Sequence, residues 1–384
     1  MSLRRLQDHR LSKSANVAEN TEIRAISRHD EKKLSHLDKN WGDAMFSDHI
    51  GMDLGTANTV IVTVKTGIIL DEPSVVAFHG SNGKKSFLAV GNDAKLMLGK
   101  TPESIVASQP LSDGVIADFD HAETMIKEFF KKAIPRSKYF KPKVVVCVPF
   151  GATPVEKRAI QQAIKAAGAS SAGLLEEPMA AALGANVPVL EPKGSMVVDI
   201  GGGTTEIAVV ALGGIVEATS LKTGGNHFDS AVIQSTRKNL NLNIGGATAE
   251  KIKLQIGSAI APEKDGFAEP LLISGIGSMD GVPKSASTTQ HDYRKAVMPL
   301  IDSIESSIRS VLERTPPDLA SDVYDDGITL TGGGSLLKGL DEELTRRLDI
   351  RVVVAENPKY CVAYGTAHAV QLGKKFVHAI AYDI

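Results

Sequence analysis

The 384-residue chain holds two cysteines, Cys147 and Cys361, and a single tryptophan, Trp41. Two thiols make no disulfide framework and too few ligands for a structural zinc site, so a reducing compartment is expected. Both lie near apolar segments and read as core residues. No apolar stretch approaches the roughly 18 residues needed to span a bilayer. The opening MSLRRLQDHRLSKS carries charge without an apolar core, so no secretory leader is expected. The formal net charge is −2, which argues against a general nucleic-acid binder. No G-x-x-x-x-G-K-[ST] segment occurs, so this is not a P-loop protein. Glycine, in contrast, is plentiful at 35 residues, much of it clustered beside apolar runs. Such clusters fit backbone-lined binding sites better than flexible linkers.

The length suggests two or three domain-sized units. Residues 1–40 are polar, mixed in charge and poor in aromatics, a composition that cannot bury enough surface to order itself. A disordered tail is therefore expected, taken to residue 48. Leu3, Leu6 and Leu11 among Arg4, Arg5 and Arg10 leave open a weak amphipathic membrane helix, and Trp41–Phe46 is a second short candidate. From Ile50 the pattern changes. HIGMDLGTANTVIVTV reads as strand, tight turn, strand, and SMVVDIGGGTTEIAVVAL repeats it. KVVVCVP is a strand buried on both faces. TPVEKRAIQQAIKAAGA reads as a helix with Pro154 near its start and Gly168 as its stop. Residues 292–314 form an amphipathic helix with Val297, Ile301, Ile304, Ile308 and Leu312 on one side. Pro299 within it should kink or break it. Alternating strands and helices imply an α/β fold with mixed sheets.

The repeat carries the chemistry. MDLGTANTV and VDIGGGTTE share apolar–Asp–apolar–Gly–x–x–polar–Thr, in opposite halves of the chain. Each turn points backbone N–H groups into a concavity that suits anionic oxygens, and glycine lets a phosphate approach closely. The turns are Gly55–Asn58 and Gly201–Thr204. Two such nests facing one another would clamp a polyphosphate, with Asp53 and Asp199 at the strand ends. A magnesium ion uses one or two carboxylates plus phosphate oxygens and water, which suits that pair. One such turn alone would be an ordinary structural hairpin; two matching copies favour phosphate binding. Three further features have plainer readings. TGGGS (Thr331–Ser335) is either a helix-entry turn or a flat platform for a base. Glu250 and Lys253, three apart on a helix, are by themselves an ordinary surface pair. Glu176 and Glu177 before Pro178 either complement a helix N-terminus or present a carboxylate to the water that attacks a γ-phosphate.

Together these motifs resemble the actin, sugar-kinase and heat-shock ATPase superfamily. Within it, DLGTANT, EPSVVA, CVPFGAT, EEPMAAALGANVPV, GSMVVDIGGGTTEIAVV, TAEKIKLQIGSA and LTGGGSLLKGLD are similar, in order, to segments of the MreB bacterial actins. The resemblance covers residues 50–377. It implies an actin-like fold: two similar α/β domains around a nucleotide cleft, each with a small subdomain. Domain I would span 49–189, with a small subdomain near 77–109, completed by about 359–380. Domain II would span 190–358, with a small subdomain near 226–289. The resemblance assigns ATP contacts to Gly55, Thr56, Ala57 and Asn58, to Gly201, Gly202 and Gly203, and to Gly225. It also assigns Glu250 and Lys253 to ribose and base, against their plain reading as a surface pair, and Gly332, Gly333, Gly334 and Ser335 to the adenosine. Asp53 and Asp199 match the acids around Mg²⁺, acting through water. Glu177 matches the group that positions the lytic water, and Thr204 its partner.

The implied activity is ATP-driven polymerisation into protofilaments of like chains, with slow hydrolysis coupled to filament turnover. The filaments would lie in the cytoplasm on the inner membrane face, with membrane morphogenesis proteins as partners, guiding wall synthesis and rod shape. In the RSKYFKPK loop, Tyr139 and Phe140 would enter the interface among basic side chains; the plain alternative is a basic loop with two packed aromatics. The long tail, the loosely matching 263–291 stretch, Pro299 and KTGGNHF depart from the pattern. They leave room for a filament specialised in positioning a magnetosome or plasmid. A small-molecule kinase of the same superfamily would need a substrate-facing Asp beyond the first turn, which is not evident. A chaperone would need a peptide-binding domain after the ATPase, and a non-hydrolysing scaffold would have little use for Glu177 and Thr204.

Overall fold

The computed structural model describes residues 49–81, 84–134, 141–261, 269–372 and 380–382. The expected N-terminal tail, Trp41–Phe46, Tyr139 and Phe140 lie outside these. The first half runs β1 (His49–Leu54), β2 (Asn58–Thr63), β3 (Gly67–Pro73), β4 (Val76–Ser81), β5 (Lys84–Val90), α1 (Asn92–Lys95), β6 (Ile105–Ser108), β7 (Leu111–Ser112) and β8 (Val115–Ile116). It continues through α2 (Phe119–Ala133), β9 (Lys143–Val148), α3 (Pro154–Ala166), β10 (Ser171–Glu176) and α4 (Glu177–Gly184). The second half runs β11 (Ser195–Ile200), β12 (Thr205–Ala211), β13 (Gly214–Leu221), α5 (Gly225–Leu240), β14 (Leu242–Asn243), α6 (Gly246–Ile256), β15 (Leu271–Gly277) and β16 (Pro283–Thr288). After these come α7 (Gln290–Arg314), α8 (Pro317–Asp326), β17 (Ile328–Thr331), α9 (Leu340–Leu348), β18 (Val352–Val354), α10 (Cys361–Leu372) and β19 (Ala381–Tyr382).

Each half is built on one mixed sheet. The first has the order β19-β10-β9-β1-β2-β3 and the second β13-β12-β11-β17-β18. In both, an antiparallel hairpin, β1–β2 or β11–β12, continues into parallel strands on its other side. The two hairpins are the sequence repeat, and they occupy equivalent places in the two sheets. A small sheet accompanies each: β5-β4-β6 in the first half and β14-β15-β16 in the second.

Local sequence explains the elements. Every residue of β11 and of β12 is buried, as apolar runs in sheets covered on both faces require. Helix α3 starts on a capping box in which Thr153 and Glu156 exchange hydrogen bonds, with Pro154 in the first turn. Helix α7 begins on a second such box, Thr289 with Asp292, and runs unbroken across Pro299. The expected break is therefore absent. Pro299 sits on the exposed side of the helix, where water can satisfy the carbonyl that its missing N–H leaves unpaired. The opposite side, with Val297, Ile301, Ile304 and Ile308, is fully buried in the second-half core.

A third apolar cluster belongs to both halves. Val145, Cys147, Leu175 and Met179 from the first pack with Val197, Ala208 and Val210 from the second, and with Val362 and Ala369 of α10. Cys147 and Cys361 are both buried and unpaired, as core residues. No helix among the described residues is long and apolar enough to cross a membrane.

Candidate active site

The two glycine turns meet. A side-chain carbon added at Gly202 would lie 2.5 Å from the Cβ of Ala57, and one at Gly203 would lie 2.9 Å from Thr56 Oγ1. Only glycine lets the second turn approach the first this closely. Both turns are held from behind. Ser74 Oγ donates to the Gly55 carbonyl at 2.6 Å and Ser74 N to the Ala57 carbonyl at 2.9 Å. Thr56 Oγ1 accepts from Gly114 N at 2.9 Å. On the other side, Gly225 N donates to the Gly201 carbonyl at 3.0 Å and Asn226 N to that of Gly202 at 2.8 Å. These bonds seat the start of α5 on the second turn. Asn58 is committed sideways, donating to Asp71 at 3.0 Å.

Four acids lie close enough for charge on one to affect the ionisation of another. Asp53 lies on β1 and Asp199 at the equivalent place on β11, where it accepts from Thr331 Oγ1 at 2.7 Å. Burial, then the charge of Asp199, pushes Asp53 up to about 8. Burial pushes Asp199 up to about 6, against the Thr331 bond. Glu177 is buried as the first residue of α4, beside Pro178. The helix N-terminus favours its charged form, but burial outweighs this. Burial and then the charges of Glu206, Asp53 and Asp199 hold Glu177 well above the usual carboxylate range. Thr204 is buried in the second turn.

Glu206 is the member that the motif reading passed over. It is fully buried on β12, paired in register with Asp199, so both side chains leave the same face of the sheet. Ser220 Oγ donates to it at 2.6 Å and Phe150 N at 3.3 Å. The second bond crosses from the second half to the loop after β9. Burial pushes Glu206 up to about 7, against these two bonds. The signal lay in TEIAVVA, where one acid sits in a strand buried at every residue.

The remaining candidates line the second half. Gly332 follows β17 with φ 79°, and a side chain there would drive into the Ile200 backbone. Gly333, Gly334 and Ser335 form the 3-10 turn that follows, closed by Ser335 Oγ donating to the Gly332 carbonyl at 2.7 Å. Glu250 and Lys253 on α6 do not pair with one another. Lys253 Nζ donates to Asp229 at 2.8 Å and to the Gly225 carbonyl at 3.1 Å. Glu250 instead accepts from Lys95, on the first-half helix α1, at 2.8 Å. The plain surface pair is thus absent: Lys253 is tied to Gly225 beside the second turn, and Glu250 to the helix of the first-half small sheet. Neither Lys95 nor Asp229 belonged to any motif. A separate cavity of 590 Å³, lined by Phe150, Lys157, Glu176, Met179 and Gly213–Ala218, contains none of the glycine-turn residues.

Such a set can hold a polyphosphate on backbone N–H groups and a cation on paired acids, with a buried carboxyl beside them as a proton acceptor or donor. No lysine of a P-loop type takes part, so the acids themselves call for a positive counter-charge. No three His, Cys, Asp or Glu side chains close into a metal cage among the described residues.

Comparison with known proteins bears on these features. Residues 47–377 match the model of the MreB/Mbl protein family. The chain belongs to this family. The cell shape-determining protein MreB of Pasteurella multocida is 46% identical over 332 residues, 85% of this chain and 94% of that protein. MreB5 of Spiroplasma citri, solved with AMPPNP, superposes with a TM-score of 0.80 at 33% identity, covering 86% of this chain and 98% of that one. A MamK double helical filament matches with a TM-score of 0.70 at 23% identity, over 84% of this chain and 98% of that one, a likeness of fold alone. The MreB/Mbl fold is actin-like, and the two sheets with their paired hairpins are that fold's two similar α/β halves.

Proposed function

We propose that the chain is an ATP-binding, filament-forming cytoskeletal protein that organises cell shape. The observation that carries this reading is the contact of Gly202 with Ala57, which brings two phosphate-type turns from opposite halves together over a set of buried acids. The relatives support it: the Pasteurella protein is described as cell shape-determining, and the Spiroplasma protein was solved with an ATP analogue. The 46% identity to a protein described as cell shape-determining favours the cell-shape reading.

In this reading the backbone of Gly55–Asn58 and Gly201–Gly203 cradles the phosphates, with Gly225 beside them. Gly332–Ser335 supports the adenosine, and Glu250 and Lys253 hold ribose and base. The residues fit Mg²⁺, since Asp53, half-buried, and Asp199, buried, are two acids close enough to feel each other's charge. The ion would supply counter-charge, through water, to the acids and the phosphates. Glu177, with Thr204 beside it, would orient the attacking water and take its proton, a role suited to a buried carboxyl. Hydrolysis would be slow and linked to filament turnover. The first sheet with α10 would form domain I, with the β4–β6 sheet as its small subdomain. The second sheet with the β14–β16 sheet would form domain II. Filaments of like chains would lie on the inner face of the cell membrane with morphogenesis proteins, and Tyr139 and Phe140 are candidates for the lipid contact.

The test is sedimentation and negative-stain imaging of the purified chain with Mg²⁺ and ATP, with and without anionic vesicles. Filaments are expected in ATP, and their absence in every nucleotide state would sink the cytoskeletal reading. Glu177→Ala should slow phosphate release by roughly 100-fold while filaments still form. Unchanged release would remove Glu177 from the chemistry.

A further inference from the structure

The two halves meet again at some distance from the glycine turns, through their small sheets. Lys95 closes α1, which follows β5 in the first-half small sheet. Its Nζ donates to Glu250 Oε1 at 2.8 Å, and Glu250 stands on α6 beside the second-half small sheet. The two side chains are 44% and 37% exposed, so the pair lies at a surface rather than in a core.

The pair is one end of a connected series. One turn along α6 from Glu250, Lys253 holds Asp229 and the Gly225 carbonyl. Gly225 N in turn holds the Gly201 carbonyl of the second turn. Asp229 feels the charges of Lys253, Glu250 and Lys95 together. An ammonium of the first half is therefore coupled, through alternating charges, to the turn that would hold phosphate in the second. No motif accounts for Lys95, and the site as described does not use it.

We propose that Lys95 is a positioning residue of the nucleotide site: it crosses the cleft mouth, fixes the Glu250 carboxylate and ties the two lips, so that nucleotide leaves only when this pair opens. The inference rests on the reading of the cleft as an ATP site with Glu250 at the ribose. Two consequences follow from the geometry. Without Lys95, Glu250 gains rotamer freedom and loses its hold on a ribose hydroxyl. Opening must also break an ion pair, which salt weakens because the pair is partly exposed.

The experiment is stopped-flow release of a fluorescent ATP analogue from the full chain with Mg²⁺, chased with excess ATP. Lys95→Glu places like charges together and should release the analogue ~5-fold faster than the unchanged chain; Lys95→Met should fall between, since exposed pairs are individually weak. Lys95→Arg keeps charge and reach and should restore slow release. Raising salt from about 0.05 to 0.5 M should speed release from the unchanged chain and from Lys95→Arg, but not from Lys95→Glu. Release from Lys95→Glu at the unchanged rate, with the unchanged salt dependence, would overturn the inference and leave the ATP reading standing. Equal acceleration in Lys95→Arg and Lys95→Glu would overturn it too, pointing to packing rather than charge. Failure of the unchanged chain to bind the analogue would overturn the ATP reading and this inference with it.

Discussion

At the scale of single residues, the site is governed by acids held where water is scarce. Glu206 shows how the balance falls. Two hydrogen bonds favour its charged form, yet burial wins and raises it to about 7. A carboxyl raised in this way binds a proton in the folded chain that the unfolded chain has already released. Its contribution to stability is full below the ordinary carboxylate range and is lost as pH rises towards 7. The nucleotide-free chain should therefore melt at progressively lower temperature from pH 5 to pH 8. Glu206→Gln removes one titrating group and keeps the shape, so its melting temperature should fall less over the same range. The difference at pH 8 should be on the order of 1–3 kcal/mol. Parallel pH slopes for the two chains, measured by thermal melts without magnesium or nucleotide, would show that Glu206 is charged in the folded protein at both ends.

At the scale of elements, the decisive pieces are the two hairpins and their turns. The proposed phosphate clamp depends on the turns coming close together, and Gly202 is the narrowest point between them, where an added carbon would lie 2.5 Å from the Ala57 Cβ. Gly202→Val should push the turns apart. Affinity for ATP should fall by roughly tenfold or more, about 1.4 kcal/mol or above, with far-ultraviolet circular dichroism unchanged because the strands behind the turn remain. Titration of the fluorescent analogue would check this, and retained affinity would mean that the turns do not clamp phosphate jointly. These hairpins were legible in the sequence because a strand, a glycine turn and a strand leave a local signature, doubled by the repeat. Helix α7 was legible for its apolar stripe, although Pro299 suggested a break that its exposed position makes unnecessary. The β15–β16 hairpin was not legible: LLISGIG and PKSAST carry small polar residues on a half-exposed sheet, where apolar alternation along the sequence is weak. Glu206 was hidden because a strand acid looks like surface until the covering layers are known. The partners of Lys95 and Asp229 lie far away along the chain, and no spacing rule encodes them.

At the scale of the whole molecule, two sheets share one apolar cluster through α4 and α10 and enclose acids of one sign near the place where they meet. Glu206, Asp53 and Asp199 each raise the cost of charging Glu177, and Asp199 raises that of charging Asp53 and Glu206. In the proposed reading, ATP alone would add further negative charge to that place, whereas ATP with Mg²⁺ would bring counter-charge. Binding to the folded chain alone raises its stability by about 2.7 kcal/mol when ligand exceeds its dissociation constant a hundredfold. Mg²⁺ with ATP should therefore raise the melting temperature clearly, and ATP with a chelator should raise it little. The gain from Mg²⁺ with ATP should also be larger at pH 8 than at pH 6, because Asp53 and Glu206 are then more often charged and more in need of the cation. Melts of the full chain in the four combinations of pH and chelator would read both effects. Equal stabilisation by ATP with and without Mg²⁺ would mean that the acids stay protonated with nucleotide bound, and that backbone N–H groups alone balance the phosphates.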